Sequence, residues 1–145
     1  MKSIYLSLFV LLFGALTACE DEPETPSLIN TNANLTATIN GAQQVPVNPS
    51  TATGSFTGTY TASSRQLAYT VTYTGITPSN AHIHTGTPGN NGSVAIPFAS
   101  LASPITGTVT LTDEQAQNLL SNGMYVNIHS TNSPNGEIRG NITKR

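Results

Sequence analysis

From Leu35 onward, apolar and polar residues alternate with period two in short runs broken by glycine, proline and asparagine. That is the pattern of half-buried strands joined by tight turns. Residues 35–39 form the first run and end at the turn pair Asn40-Gly41. Residues 54–61 and 66–74 read as a second and third strand, with 62–65 as their hairpin. In the third, Leu67, Tyr69, Val71 and Tyr73 share one face, while Ala68, Thr70, Thr72 and Thr74 share the other. Residues 80–85 and 93–98 are short strands around a loop holding Gly86, Pro88, Gly89 and Gly92, and 105–111 alternate again. Residues 124–131 and 137–142 are expected to close the chain as a hairpin, with Ser133-Pro134-Asn135-Gly136 at or near its turn.

One segment, residues 111–123, breaks the period. Ala116, Leu119 and Leu120 make a single helical face. Thr112 and Gln115 stand at capping-box spacing, Asp113 and Glu114 sit at the positive end of the helix dipole, and Gly123 is placed to take the left-handed conformation after the last turn. About eight short strands with one helix near 112–121 predict an all-β, Greek-key antiparallel sandwich or barrel.

Composition sharpens this picture. The 145 residues include 22 threonines, 12 glycines and 9 prolines, and only 8% are charged. Such a chain suits one pleated domain and is unlike a disordered one, which is rich in charge and poor in β-branched residues. Five basic residues and a net charge of −2 exclude a basic stripe for nucleic acid. Four of the seven acids lie at 20–24, so the folded part is nearly neutral. The three others, Asp113, Glu114 and Glu137, leave a carboxylate-pair glycosidase or a Ser-His-Asp triad without acids to draw on.

The N-terminus is a targeting segment. Lys2 precedes an apolar run over 4–16 that has signal-peptide length, and Leu16-Thr17-Ala18-Cys19 follows. Those four residues resemble the lipobox of bacterial lipoproteins, which implies a signal peptide over 1–18 and acylation of Cys19. Residues 19–33 then form an acidic tether, and 34–145 the folded domain. Acids directly behind the cysteine are similar to surface-export signals of some diderm bacteria. The lipobox implies a lipid-anchored envelope protein, at the periplasmic or the surface face of the outer membrane; the alternative is an ordinary secretory signal with Cys19 incidental. Sequons at Asn34, Asn91 and Asn141 are then incidental.

All three histidines fall in two motifs. In Ala81-His82-Ile83-His84-Thr85, His82 and His84 face away from Ala81 and Ile83. In Tyr125-Val126-Asn127-Ile128-His129, Val126 and Ile128 take the core face, and His129 lies opposite with Tyr125 and Asn127. Three imidazoles on one face form a candidate site for one copper or zinc ion with an open position. The same parity puts Glu137 and Arg139 on the histidine face, with His129 expected opposite one or the other. They are expected to orient a ring or guide an anion, or to pair with each other.

The two histidine motifs, with Pro134-Asn135-Gly136-Glu137-Ile138-Arg139-Gly140 and the opening residues 35–46, closely resemble the CHRD domain, named after chordin and widespread in bacterial exported proteins. The resemblance spans about 34–142 and implies an extracytoplasmic β-sandwich; Gln44 stands where an acid is usual. A fainter similarity is to the Cu,Zn superoxide dismutases, where an His-x-His strand and a later single histidine supply copper ligands. His82, His84 and His129 match these one by one, while the bridging histidine and the zinc ligands have no counterpart. The resulting expectation is a metal-binding envelope protein, copper favoured, not an enzyme unless a copper-only redox activity exists. The alternative is a metal-free adhesion or partner-binding module that uses its threonine-rich sheet.

Overall fold

A computed structural model of the protein describes residues 28–145. The expected signal peptide, the lipidation site Cys19 and most of the tether lie outside the described residues. After a 3-10 turn at Leu28–Asn30 come strands β1 (Ala33–Asn40), β2 (Thr53–Thr61), β3 (Gln66–Thr74), β4 (Asn80–Thr85), β5 (Val94–Pro97) and β6 (Ile105–Thr110). Helix α1 (Asp113–Leu120) follows, then β7 (Met124–Ser130), β8 (Ser133–Asn141) and β9 (Thr143–Lys144). All pairings are antiparallel, in the order β5-β4-β7-β8-β1-β2-β3-β6, with β9 added to β1. The sheet curls into a half-barrel, so the all-β expectation holds.

Strand alternation builds the core. Leu35, Ala37 and Ile39 of β1, Phe56 and Tyr60 of β2, Leu67 and Val71 of β3, and Ala81 and Ile83 of β4 all point inward. Val126, Ile128, Ile138 and Ile142 complete that surface from β7 and the chain end. Each fully buried aliphatic side chain contributes about 1.5–3 kcal/mol. On the opposite face, threonines form cross-strand rows, Thr143–Thr36–Thr57–Thr70–Thr106 being the longest.

Helix α1 carries the chain from the edge strand β6 to β7 in the interior of the sheet and adds Ala116, Leu119 and Leu120 to the core. The expected capping box is present: Gln115 N–H donates to Thr112 Oγ1 at 3.1 Å and Thr112 N–H to Gln115 Oε1 at 3.0 Å. The helix end differs from expectation by one residue. Asn122, with φ +61°, takes the left-handed position, and Gly123 N–H donates to Asn118 O at 2.7 Å. This is the long return bond of a Schellman ending, with Gly123 one place beyond the αL residue.

The closing hairpin also differs. Its turn is the pair Thr131-Asn132, and Ser133 already pairs with Ser130. The ladder then breaks, and pairing resumes only at Ile128 and Ile138. Residues 134–137 thus stand against His129 alone, a bulge held where Gly136 takes φ +119°. A Cβ at Gly136 would lie 2.5 Å from the Asn127 and Gln44 amides, so only glycine lets the bulge settle on them. The sequence placed these residues in the turn because Ser-Pro-Asn-Gly is turn chemistry; they serve the bulge instead.

Two substitutions separate the cap from the face it supports. Thr112→Ala is expected to cost about 1 kcal/mol through the lost cap. Leu119→Ala, which empties a fully buried position, is expected to cost about 2–5 kcal/mol. Urea unfolding of the two variants beside the parent measures both, and equal costs would refute this division.

Candidate metal centre

The site is a product of strand pairing. Strands β4 and β7 are neighbours with Ala81 opposite Ile128 and Ile83 opposite Val126, all in the core. The pleat therefore sends His82, His84 and His129 to the other face. There His82 stands opposite Asn127 and His84 opposite Tyr125. His129 lies two residues beyond Asn127 and is a diagonal neighbour of His82.

The three rings converge. Centroids are 5.2 Å apart for His82–His129, 5.4 Å for His82–His84 and 6.0 Å for His84–His129. One ligating nitrogen of each ring lies within 4.8 Å of the other two. The nitrogens shielded from solvent and lacking a protein partner are His82 Nδ1, His84 Nε2 and His129 Nε2. The second nitrogen of two rings is fixed: His84 Nδ1 lies 3.1 Å from Gly92 O, and His129 Nδ1 2.9 Å from Pro134 O. A carbonyl only accepts, so each Nδ1 carries the proton and each Nε2 presents its lone pair. Three ring nitrogens this close together are a donor set that could hold one metal ion.

The electrostatics keep two imidazoles neutral. Burial lowers the His82 pKa, and the neighbouring His129 and His84 lower it further. Burial also lowers that of His84, partly offset by the Gly92 carbonyl, with His129 and Arg139 adding to the depression. The neutral ring is the form that ligates a metal.

Behind His84 lies a stack that sequence reasoning did not foresee. The Tyr125 ring lies 5.0 Å from the His84 ring and only 10° from parallel, and the Arg139 guanidinium carbon sits 3.5 Å from the Tyr125 centroid. Gly92 N–H donates to the Tyr125 hydroxyl at 3.2 Å, so Tyr125 also fixes the residue whose carbonyl orients His84. A Cβ at Gly92 would fall 1.7 Å from Thr85 O, and one at Gly86, 2.8 Å from the Tyr125 ring. Tyr125 and Arg139 carried a sequence signal, their parity with His129, but their stacking did not. The carbonyls of Gly92 and Pro134 carried none, because backbone contacts depend on loop path.

Arg139 and Glu137 share the histidine face as expected but not in the expected parts. Arg139 is opposite Asn127, and His129, in the ladder break, pairs with neither. Arg139 is 0% exposed, so it is no anion guide at the surface. Its guanidinium donates to Asn141 Oδ1, Asn91 Oδ1, Thr87 O and Asn90 O at 3.0–3.3 Å, pinning the 86–92 loop. Glu137 accepts from Ser50 Oγ at 2.7 Å and from Ser130 Oγ; the two residues do not pair with each other, and neither bonds a histidine.

A groove of about 840 Å³ lies elsewhere, lined by Thr57, Thr59, Thr70, Thr106 and Thr108, with Arg145 the one charged residue on it. No histidine lines it; among the described residues the metal-ligating cluster is His82, His84 and His129.

No curated protein and no solved structure matches the chain significantly. The profile of the CHRD domain matches residues 35–142, a span that includes all three histidines and nearly every strand. The chain belongs to the CHRD domain family.

Proposed function

We propose that this protein binds one transition-metal ion, copper in preference, through His82 Nδ1, His84 Nε2 and His129 Nε2, and does so at the bacterial envelope on a lipid anchor at Cys19. The observation that carries the metal reading is the convergence of three shielded ring nitrogens with no protein partner. Unpartnered buried polar atoms are costly, and three in one place mark a site built for something else to satisfy. Copper is supported by the donor set. It is imidazole alone, without thiolate or carboxylate, and copper stands highest among the first-row divalent ions on nitrogen ligands. Three protein donors leave a coordination position open for water or an exogenous ligand. The anchor is supported by the lone cysteine, which directly follows small residues at the end of the apolar run.

Competition titration of the purified protein against a chromogenic chelator is expected to show one equivalent of copper bound. The His82→Ala/His84→Ala variant should lose at least a hundredfold in affinity. Equal binding by the two proteins would sink the metal reading and leave the threonine face as the functional surface.

Gly92→Ala tests the orientation of His84. The added Cβ forces the 92 backbone off Thr85, and with it the carbonyl that holds His84 Nδ1. Copper affinity is expected to fall about 10–100-fold, with the CD spectrum of the sheet retained. An unchanged affinity would show that the carbonyl does not position the ring.

Cys19→Ser is expected to abolish metabolic labelling by palmitate and to move the protein from the membrane to the soluble fraction. Continued labelling would refute the anchor.

A further inference from the structure

Arg139 is the largest fully buried side chain of the domain, and it lies one aromatic ring away from a candidate metal ligand. Holding the 86–92 loop accounts for its hydrogen bonds but not for a charge at that place, since a neutral donor could also bond Thr87 O and Asn90 O. Its charge is not cancelled by a hydrogen-bonded carboxylate. All its partners are neutral carbonyl or amide oxygens, and the one acid on the same face, Glu137, is bonded to Ser50 and Ser130. The remaining described acids, Asp113 and Glu114, belong to the first turn of α1. The histidines themselves bring no charge. A metal ion bound there keeps its full charge, beside a fixed cation held in a poorly screened interior.

We propose that the buried Arg139–Tyr125 stack makes the histidine site select monovalent copper over divalent zinc. This rests on the metal reading above and adds to it the charge of the ion. Repulsion from Arg139 grows in proportion to the charge of the bound ion, so it penalises a divalent ion twice as heavily as a monovalent one. Three imidazoles provide either ion with nitrogen donors, so coordination alone separates the two weakly. The stack transmits geometry as well: Tyr125 lies nearly parallel to His84, and the Arg139 guanidinium carbon sits 3.5 Å from the Tyr125 centroid, which keeps the guanidinium close behind the ligand. The ligand class follows: a singly charged metal ion that takes imidazole nitrogen donors.

The test compares two affinities in each of four proteins, the full chain and three variants of it. Cu(I) is measured anaerobically with a reductant against a chromogenic Cu(I) chelator, and Zn(II) against a chromogenic zinc chelator. Arg139→Gln removes the charge. Asn141→Asp is isosteric, keeps the two bonds that Arg139 makes to position 141, and neutralises the charge in place. In both, the ratio of Cu(I) to Zn(II) affinity is expected to fall about tenfold. Asn91→Ala removes one bond between Arg139 and the loop but leaves the charge, and should hold the ratio within twofold. If Arg139→Gln does not fold, Asn141→Asp decides alone. An unchanged ratio in the folded charge variants, or an equal fall in Asn91→Ala, overturns the proposal while leaving the metal site standing. Failure of the parent protein to bind either ion overturns the metal reading itself.

Discussion

Everything at the histidine site depends on the pairing of β4 with β7 in one register. Ile83 packs opposite Val126 and Ala81 opposite Ile128, all at 0% exposure. A slip of β4 by one residue would send Ala81 and Ile83 out and bring His82 and His84 into the hydrocarbon interior, away from His129. The cost of exposing these two buried apolar side chains therefore also holds the imidazoles in place. Strands fixed by a core hold side chains more narrowly than loops do, which is why a three-ring cluster is possible without any covalent link between the elements that carry it.

The face opposite the core is not simply surface. Tyr125, Asn127 and Arg139 are buried there beneath the 86–92 loop and the segment around Gln44. A buried guanidinium must have its donors satisfied, and the carbonyls that do so come from the loop. The loop closes over Arg139 and in doing so places Gly92, whose carbonyl fixes the tautomer of His84. Glu137 plays the corresponding part on the other side, where its carboxylate joins Ser50 to Ser130. Arg139, expected to act on the rings directly, acts through the loop that places Gly92, while Glu137 bonds two serines and no histidine.

What could be read in the sequence follows from where the information lies. The strands over Gln66–Thr74 and Asn80–Thr85, and the capping box of α1, were legible to the residue, since alternation and capping depend only on local sequence. The common face of the three histidines was legible for the same reason. The bulge at 134–137 was not: Ser-Pro-Asn-Gly reads as a turn, and only the fit of Gly136 against Asn127 and Gln44 shows otherwise. Nor was the burial of Arg139, because a lone arginine on a polar face normally reaches water. Both depend on contacts between segments more than forty residues apart in the chain.

The state of the ring nitrogens narrows what can complete this site. Two Nε2 atoms present lone pairs because their Nδ1 protons are committed to carbonyls, and His82 Nδ1 faces the same space. A proton satisfies one ring only, and it places a charge in a buried cluster; burial first, then His129 and Arg139, depress the His84 pKa. A water molecule has two hydrogens to donate and leaves a third acceptor unmet. A metal ion accepts all three lone pairs at once and carries no hydrogen-bonding need of its own. Each unmet buried nitrogen costs about 1–3 kcal/mol, within a net stability of about 5–15 kcal/mol for a domain of this kind. A fold that brings one ligating nitrogen of each ring within 4.8 Å of the other two gives up stability at a point where a single cation could return it.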